Sequence, residues 1–243
     1  MIKVDLKGSE KEFESGVSVA EVAKSIGMGL YKSACAAKVN GEVCDLRTVL
    51  NEDCKVEILT FDDKEGKKAY WHTASHIMAQ AVNRLYPGTK FAIGPAVDNG
   101  FYYDMELPQA ITNDDLAKIE AEMKKIIKED IEIERFELPV AEALELMKGQ
   151  DYKEELIREH AAEGEHISFY KQGDFTDLCT GPHLMRTGNV KAYLHHRCIL
   201  ARRCKQQDAA ASLRHRVPEA ELAGRAPHHD GGSQEARPQQ ARP

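Results

Sequence analysis

The chain has 243 residues, 42% of them hydrophobic, and a formal net charge of −7. That content suffices for one or two buried cores, while the acidic balance excludes wholesale wrapping of nucleic acid and leaves room for a local basic groove. No run of about 18 apolar residues can cross a membrane, no charged-then-apolar leader opens the chain, and six cysteines without framework spacing fit free thiols in a reducing cytoplasm.

Ile2, Val4 and Leu6 alternate with polar residues, as in a half-buried strand, and Phe13 to Val17 is its expected hairpin partner. Ser18-Val19-Ala20-Glu21 has the form of a capping box. Val19, Val22, Ala23 and Ile26 then make one helical stripe, and Gly27 suits the C-terminal cap. Lys38 to Val43 reads as a hairpin turning at Asn40-Gly41, and Val56, Ile58 and Thr60 as a closing strand. Strands around one helix over residues 1–61 predict a small β-grasp, ubiquitin-like domain, read as a docking module. The charged stretch 62–68 reads as a linker.

A second domain is expected over residues 69–193. His72 and His76 share one helical face, and Ala74, Met78, Ala81, Val82 and Leu85 support the helix, which Tyr86-Pro87-Gly88 stops. Lys90 to Pro95 and Gly100 to Met105 predict a hairpin around Asp98-Asn99-Gly100. Thr112 caps a helix with apolar Leu116, Ile119, Met123, Ile126 and Ile127; its lysines, at 118, 124, 125 and 128, read as a solvated face. A strand at Ile131, Ile133 and Phe136 follows, then a helix from Pro139 to Met147. A further helix covers Asp151 to Ala162, and His166 to Tyr170 forms a strand leading into a loop at Asp177–His183. The interleaving without a strict βαβ rhythm makes the class α+β.

His72, His76, Cys179 and His183 are three imidazoles and one sulfur, a set that suits tetrahedral zinc. Neutral imidazoles with a carboxylate such as Asp177 equally suit metal-free hydrolysis, and a Cys–His pair suits a covalent intermediate. Structural histidines and a small packing cysteine are the plain alternatives. Gly94-Pro95 and Gly100 permit close backbone approach, and Tyr102, Tyr103, Asp104 and Asp177 offer hydrogen-bonding groups to a small substrate.

From Met1 to Tyr193 the sequence resembles the N-terminal part of the threonyl-tRNA synthetase family. The first domain resembles its TGS domain through Val39-Asn40-Gly41, Asp45-Leu46 and Val56-Glu57-Ile58. The second resembles its editing domain, shared with alanyl-type deacylases. The carrying residues are His72-Thr73-Ala74-Ser75-His76, Ile93-Gly94-Pro95, Gly100-Phe101-Tyr102-Tyr103-Asp104 and Asp177-Leu178-Cys179-Thr180-Gly181-Pro182-His183.

The resemblance implies hydrolysis of seryl-tRNA(Thr) made in error. The tRNA(Thr) acceptor end and its mischarged ester are then the partners. It implies Lys153 and Asp177 as the groups that activate or orient water, with His72, His76, Cys179 and His183 lining the pocket. It further implies a metal-free site, although alanyl relatives use the same four positions for zinc. ATP, magnesium, the synthetic zinc and the dimer-forming parts of the parent enzyme belong to domains outside this chain. The alternatives are an inactive acceptor-end-binding unit and a zinc-dependent alanyl-type deacylase.

At Leu194 the composition changes. Lys outnumbers Arg 19 to 5 before it, Arg outnumbers Lys 8 to 1 after it, and no Phe, Tyr or Trp follows Tyr193. Codons compatible with Cys198 to Ala210, read one base later, encode Ala-Ser-Trp-Arg-Gly-Asp-Ala-Ser-Asn-Lys-Met-Leu. Trp-Arg-Gly-Asp and Asn-Lys-Met-Leu resemble the end of the family's editing domain. Residues 194–243 are therefore read as a frameshifted tail, expected to be disordered when free.

Overall fold

The computed structural model describes residues 1–98, 100–163, 167–190 and 198–200. Strand β1 (Ile2–Leu6) turns at Lys7-Gly8, both at positive φ, into β2 (Ser9–Phe13). This tight turn matches strand twist and makes Ser9–Phe13 the hairpin partner; Val17 instead belongs to the short β3 (Val17–Ser18), paired with β6 (Val49–Leu50). The capping box before α1 (Val19–Ile26) forms with both of its bonds. A short α2 (Met28–Ser33), unforeseen from the sequence, leads to β4 (Ala34–Val39), which pairs with β5 (Glu42–Cys44) across Asn40-Gly41. With β7 (Cys54–Thr60) the main sheet runs β2-β1-β7-β4-β5, with β1 and β7 parallel at its centre. Helix α1 buries Val19 and Val22 against Ile2, Val4, Ala37, Leu46 and Val56, which completes a β-grasp.

The expected linker at 62–68 is mostly helix. Helix α3 spans Lys64–Leu85, so five of those seven residues form its opening turns. Asp63 accepts the Thr60 N–H (2.7 Å) and the Thr60 hydroxyl (3.1 Å), and Gly66 packs so tightly that a Cβ would lie 2.0 Å from the Thr60 carbonyl oxygen. Charge there marks a solvated helix start, not slack chain. Cys35 of β4 shares one core with Tyr70, Trp71 and Ala74 of α3, so sheet and helix are packed together.

Helix α3 is buried on nearly every side from Ala69 to Val82, not only along the predicted stripe. Its buried polar side chains find partners, except Trp71, whose Nε1 is buried without one. Ser75 donates to Gly94 O (2.8 Å), and Gln80 donates to Gln172 O (3.0 Å). The predicted hairpin is made of β8 (Lys90–Phe91) with β11 (Met105–Glu106) and β9 (Ala96–Val97) with β10 (Gly100–Tyr103). Helix α4 (Asn113–Glu129) covers α3 through Ile119, Met123 and Ile126. Strands β12 (Ile133–Leu138), β13 (Ile167–Gln172) and β14 (Phe175–Leu178) form an antiparallel sheet. Against it pack α5 (Val140–Leu146) and α6 (Asp151–Glu163), through Ala143, Met147 and Ile157. His166, the expected start of β13, lies outside the described residues.

Strand β15 (Cys198–Leu200) pairs in parallel with β10, Phe101 opposite Cys198. There an open strand edge offers ladder partners; the remainder of 194–243, read from the sequence as a disordered tail, lies outside the described residues. Among the described residues, no helix is long and apolar enough to cross a membrane.

Candidate active site

Helix α3 carries His72 and His76 one turn apart, and the chain leaving β14 returns Cys179 and His183 to the same place. The four ligand-type atoms lie within 4.8 Å of one another. Cys179 Sγ sits 3.3 Å from His72 Nε2 and 3.2 Å from His183 Nε2, and accepts the Gly181 N–H at 3.3 Å. His183 is fully buried, its ring centroid 4.2 Å from those of both His72 and His76, tilted by 33° and 55°.

Thr73 assigns the His183 proton. Its hydroxyl donates to Ala69 O (2.9 Å) and accepts the Leu184 N–H (2.9 Å), so its remaining lone pair faces His183 Nδ1 at 3.2 Å. With that hydrogen on Ala69 O, the tautomer that fits these contacts has the proton on Nδ1 and leaves Nε2 to accept from the Cys179 thiol.

Burial sets the charge state. It lowers His72 to about 4 and His76 to about 3, against an ordinary 6.5, and drives His183 well below that range. It also pushes the Cys179 thiol up to about 12. At neutral pH the set is three neutral imidazoles and one protonated thiol.

Asp177 provides the site's buried negative charge. Lys153 of α6 approaches it at 2.6 Å, His76 Nε2 lies 3.5 Å away, and the Tyr103 hydroxyl donates to it. Lys153 also donates to the Tyr103 oxygen at 3.2 Å. Burial pushes the Asp177 carboxyl up, but Lys153, His76 and Tyr103 together outweigh it and hold it below the usual carboxylate range.

A cavity of about 670 Å³ opens over these groups. His72, His76, Lys153, Asp177 and Cys179 line it, with Gly94, Pro95 and Tyr103. Gly94 is required there, since an added Cβ would fall 2.3 Å from the Tyr103 ring. His183 lies behind Cys179 and does not line the space. Two expected binding residues are also absent from the lining, Tyr102 and Asp104. Strand alternation explains Tyr102: Phe101 and Tyr103 are fully buried, and Tyr102 points to the other face. Asp104 pairs its backbone with Ala92 and with Ile93, which does line the cavity, but is not itself among the lining residues.

Unforeseen lining residues include Leu156, Ile167 and Ser168, together with Val43, Glu65 and Lys68 from the N-terminal sheet and its junction with α3. The Ser168 hydroxyl donates to Cys179 O (2.7 Å), and Cys179 N donates to Ser168 O (3.1 Å). No alternation marks Ser168, since the first four residues of β13 are all buried, and nothing local marks the first-domain residues.

Residues 4–60 match the TGS domain family, and residues 167–194 match the threonyl and alanyl tRNA synthetase second additional domain. The second match ends where the Lys-to-Arg switch begins. A threonine–tRNA ligase of Clostridioides difficile (strain 630) is 60% identical over 195 residues, which cover 79% of this chain and 30% of that protein. Those of Acetivibrio thermocellus and Clostridium perfringens (strain SM101 / Type A) are 57% and 58% identical, again over 79% of this chain. The chain carries the N-terminal TGS and second additional domains of the threonine–tRNA ligase family. It spans about 30% of the length of the curated relatives it matches.

The four-residue cluster, of which Cys179 and His183 fall within the 167–194 match, has donors of the type zinc takes. Two of its Sγ–Nε2 distances, 3.2 and 3.3 Å, are close to the spacing of neighbouring ligands around one ion. In the geometry described, the same contacts use the thiol proton that zinc binding must release.

Proposed function

We propose that the second additional domain is an editing site that hydrolyses seryl-tRNA(Thr) and spares threonyl-tRNA(Thr). The observation that carries this reading is the buried Lys153–Asp177 pair, held by Tyr103 and His76, on the wall of the cavity that Cys179 and His72 also line. The depressed pKa values of His76 and Asp177 make both weak bases, so they act chiefly by orienting water towards the ester. The Lys153 ammonium supplies positive charge where the oxyanion develops. The thiol, protonated and engaged by two imidazoles, lines the pocket and is not the nucleophile. No metal is needed for these steps.

Such a site answers a selectivity limit. Serine is threonine without a methyl, and one methyl gives only about 1–3 kcal/mol of discrimination in a synthetic site. A second pocket that the larger side chain cannot enter completes the sieve. The tight Gly94–Tyr103 contact supports a wall that does not recede. The substrate's partner portion is the acceptor end of tRNA(Thr), in the cytoplasm. ATP-dependent charging, with its metals, and dimerisation belong to the parts of the relatives that this chain does not span. The test is hydrolysis of both esters by the chain: rapid loss of seryl-tRNA(Thr) alone is expected, and equal rates on both contradict the sieve.

A second reading is favoured by the four donors within 4.8 Å. His72, His76, Cys179 and His183 would hold zinc, which supplies Lewis acidity when bound. Stoichiometric zinc in the purified chain, lost on mutating any one of the four, would replace the metal-free reading.

A further inference from the structure

The loop bearing Cys179 and His183 is gripped from outside its own domain. Asp45 and Arg47 follow β5 in the TGS domain, with side chains 7% and 18% exposed. They pair at 2.7 Å, and Asp45 Oδ1 also accepts the Arg47 backbone N–H at 3.0 Å. Asp45 Oδ2 accepts the Tyr170 hydroxyl (3.0 Å) and the His183 backbone N–H (3.4 Å). The Arg47 guanidinium donates to three consecutive carbonyls: His183 at 3.4 Å, Leu184 at 2.9 Å and Met185 at 3.1 Å.

Both backbone groups of His183 therefore go to TGS side chains. Its ring meanwhile bridges Thr73 and Cys179, so a shift of this backbone moves the imidazole directly beneath the sulfur. Tyr170 closes the arrangement: its ring lies 4.4 Å from that of His183, and its hydroxyl sits where a Cβ on Gly181 would be, at 2.1 Å. A planar guanidinium fork can address neighbouring carbonyls together, which a single ammonium cannot reproduce. We propose that Asp45 and Arg47 of the TGS domain are positioning residues of the hydrolytic site, fixing the 183–185 backbone so that His183 holds Cys179 against His72. The catalytic part of this inference rests on the reading of the cavity as an editing site; the structural part does not.

The experiment uses the full chain with Arg47→Ala, Arg47→Lys and Asp45→Asn. Hydrogen exchange is followed in peptides covering 179–186 and, as a control, the TGS sheet at 56–59, which pairs with β4 and not with the 45–48 segment. Seryl-tRNA(Thr) hydrolysis is measured beside it. Arg47→Ala should accelerate exchange at 179–186 by about tenfold or more, as expected for loss of charge-assisted bonds. It should leave 56–59 unchanged and lower kcat with KM nearly constant; Arg47→Lys should restore only part of kcat.

Unchanged exchange at 179–186 would overturn the proposal. So would equal acceleration at 56–59, which means the pair merely stabilises the TGS domain, or full restoration by lysine. If Arg47→Ala does not fold, Asp45→Asn, which keeps the volume, decides by the same two peptides. If the unmutated chain hydrolyses neither ester, the editing reading fails, and the exchange result still settles whether the TGS domain fixes the loop.

Discussion

Lys153 Nζ lies 2.6 Å from Asp177 Oδ1, with both side chains almost completely out of water at 4% and 3% exposure. At that depth a single substitution leaves a charge without its counterpart, which costs about 3–5 kcal/mol, whereas removing both charges is often nearly neutral. Lys153→Met and Asp177→Leu should each lower the denaturation midpoint sharply. The double substitution should recover much of that stability and none of the hydrolysis. A double variant no more stable than the singles would show that the pair's partners, Tyr103 and His76, matter more than the pairing.

The Cys179 thiol provides the next test. Burial raises it to about 12, so thiolate is scarce at neutral pH. Alkylation of Cys179 by iodoacetamide, followed by mass spectrometry of its peptide, should stay slow at pH 7 and rise about tenfold for each pH interval of one up to pH 9, with no plateau. Cys179→Ser should reduce deacylation only modestly, with no acyl-enzyme trapped on quenching. Rapid alkylation at neutral pH, or a trapped acyl group on Cys179, would restore the nucleophile reading.

The imidazoles set a pH limit. His72 and His76 titrate near 6.5 when unfolded but fall to about 4 and about 3 in the folded chain. Below 6.5 the unfolded state takes up protons that the folded site refuses, so stability is full above that value. It declines as pH falls towards 4 for His72 and towards 3 for His76, each histidine costing about 1.4 kcal/mol for every pH interval of one crossed. Denaturant titrations between pH 8 and 4 should show this decline, reduced in a His76→Gln variant. An identical slope in that variant would place the sensitivity elsewhere.

Local pattern makes part of this site legible. The His72–His76 spacing follows from helical geometry, and Ser18 with Glu21 announces the start of α1 without tertiary help. Lys153 stands out only through family resemblance, because periodicity makes it one polar residue of a helix. The charge run at 62–68 suggests a linker, although Lys64 to Lys68 are helical; composition reports solvation, not continuity. Tyr102 and Asp104 miss the cavity: strand parity through β10 turns Tyr102 away, and Asp104 pairs its backbone with Ala92 and Ile93 without itself lining the space. The Asp45–Arg47 grip joins residues about 140 apart in sequence, and no local signal encodes it.

The composition switch at Leu194 leads to a prediction about the gene. Sequencing should show a one-base shift near codons 193–197, with synthetase-like coding continuing in the adjacent frame. A downstream frame without such coding would refute it, and the arginine-rich segment would then be a native basic extension.

Gly94 tests whether the cavity wall governs the buried charge. A methyl group there would fall 2.3 Å from Cδ2 of Tyr103, whose fully buried ring rests against Phe91 at 5.7 Å. Gly94→Ala should therefore displace the ring, weaken the Tyr103 bond to Asp177 and cost about 1–3 kcal/mol, the usual penalty of overpacking. Because the clash is with one side chain, it should couple strongly to that side chain. In a Tyr103→Ala background the same glycine substitution should cost little further stability, since the space it needs has been vacated. Denaturation of the four members of this cycle measures the coupling directly. A penalty of equal size in both backgrounds would mean that Gly94 is needed for its backbone, through the Ser75 bond to its carbonyl, and not for room beside Tyr103.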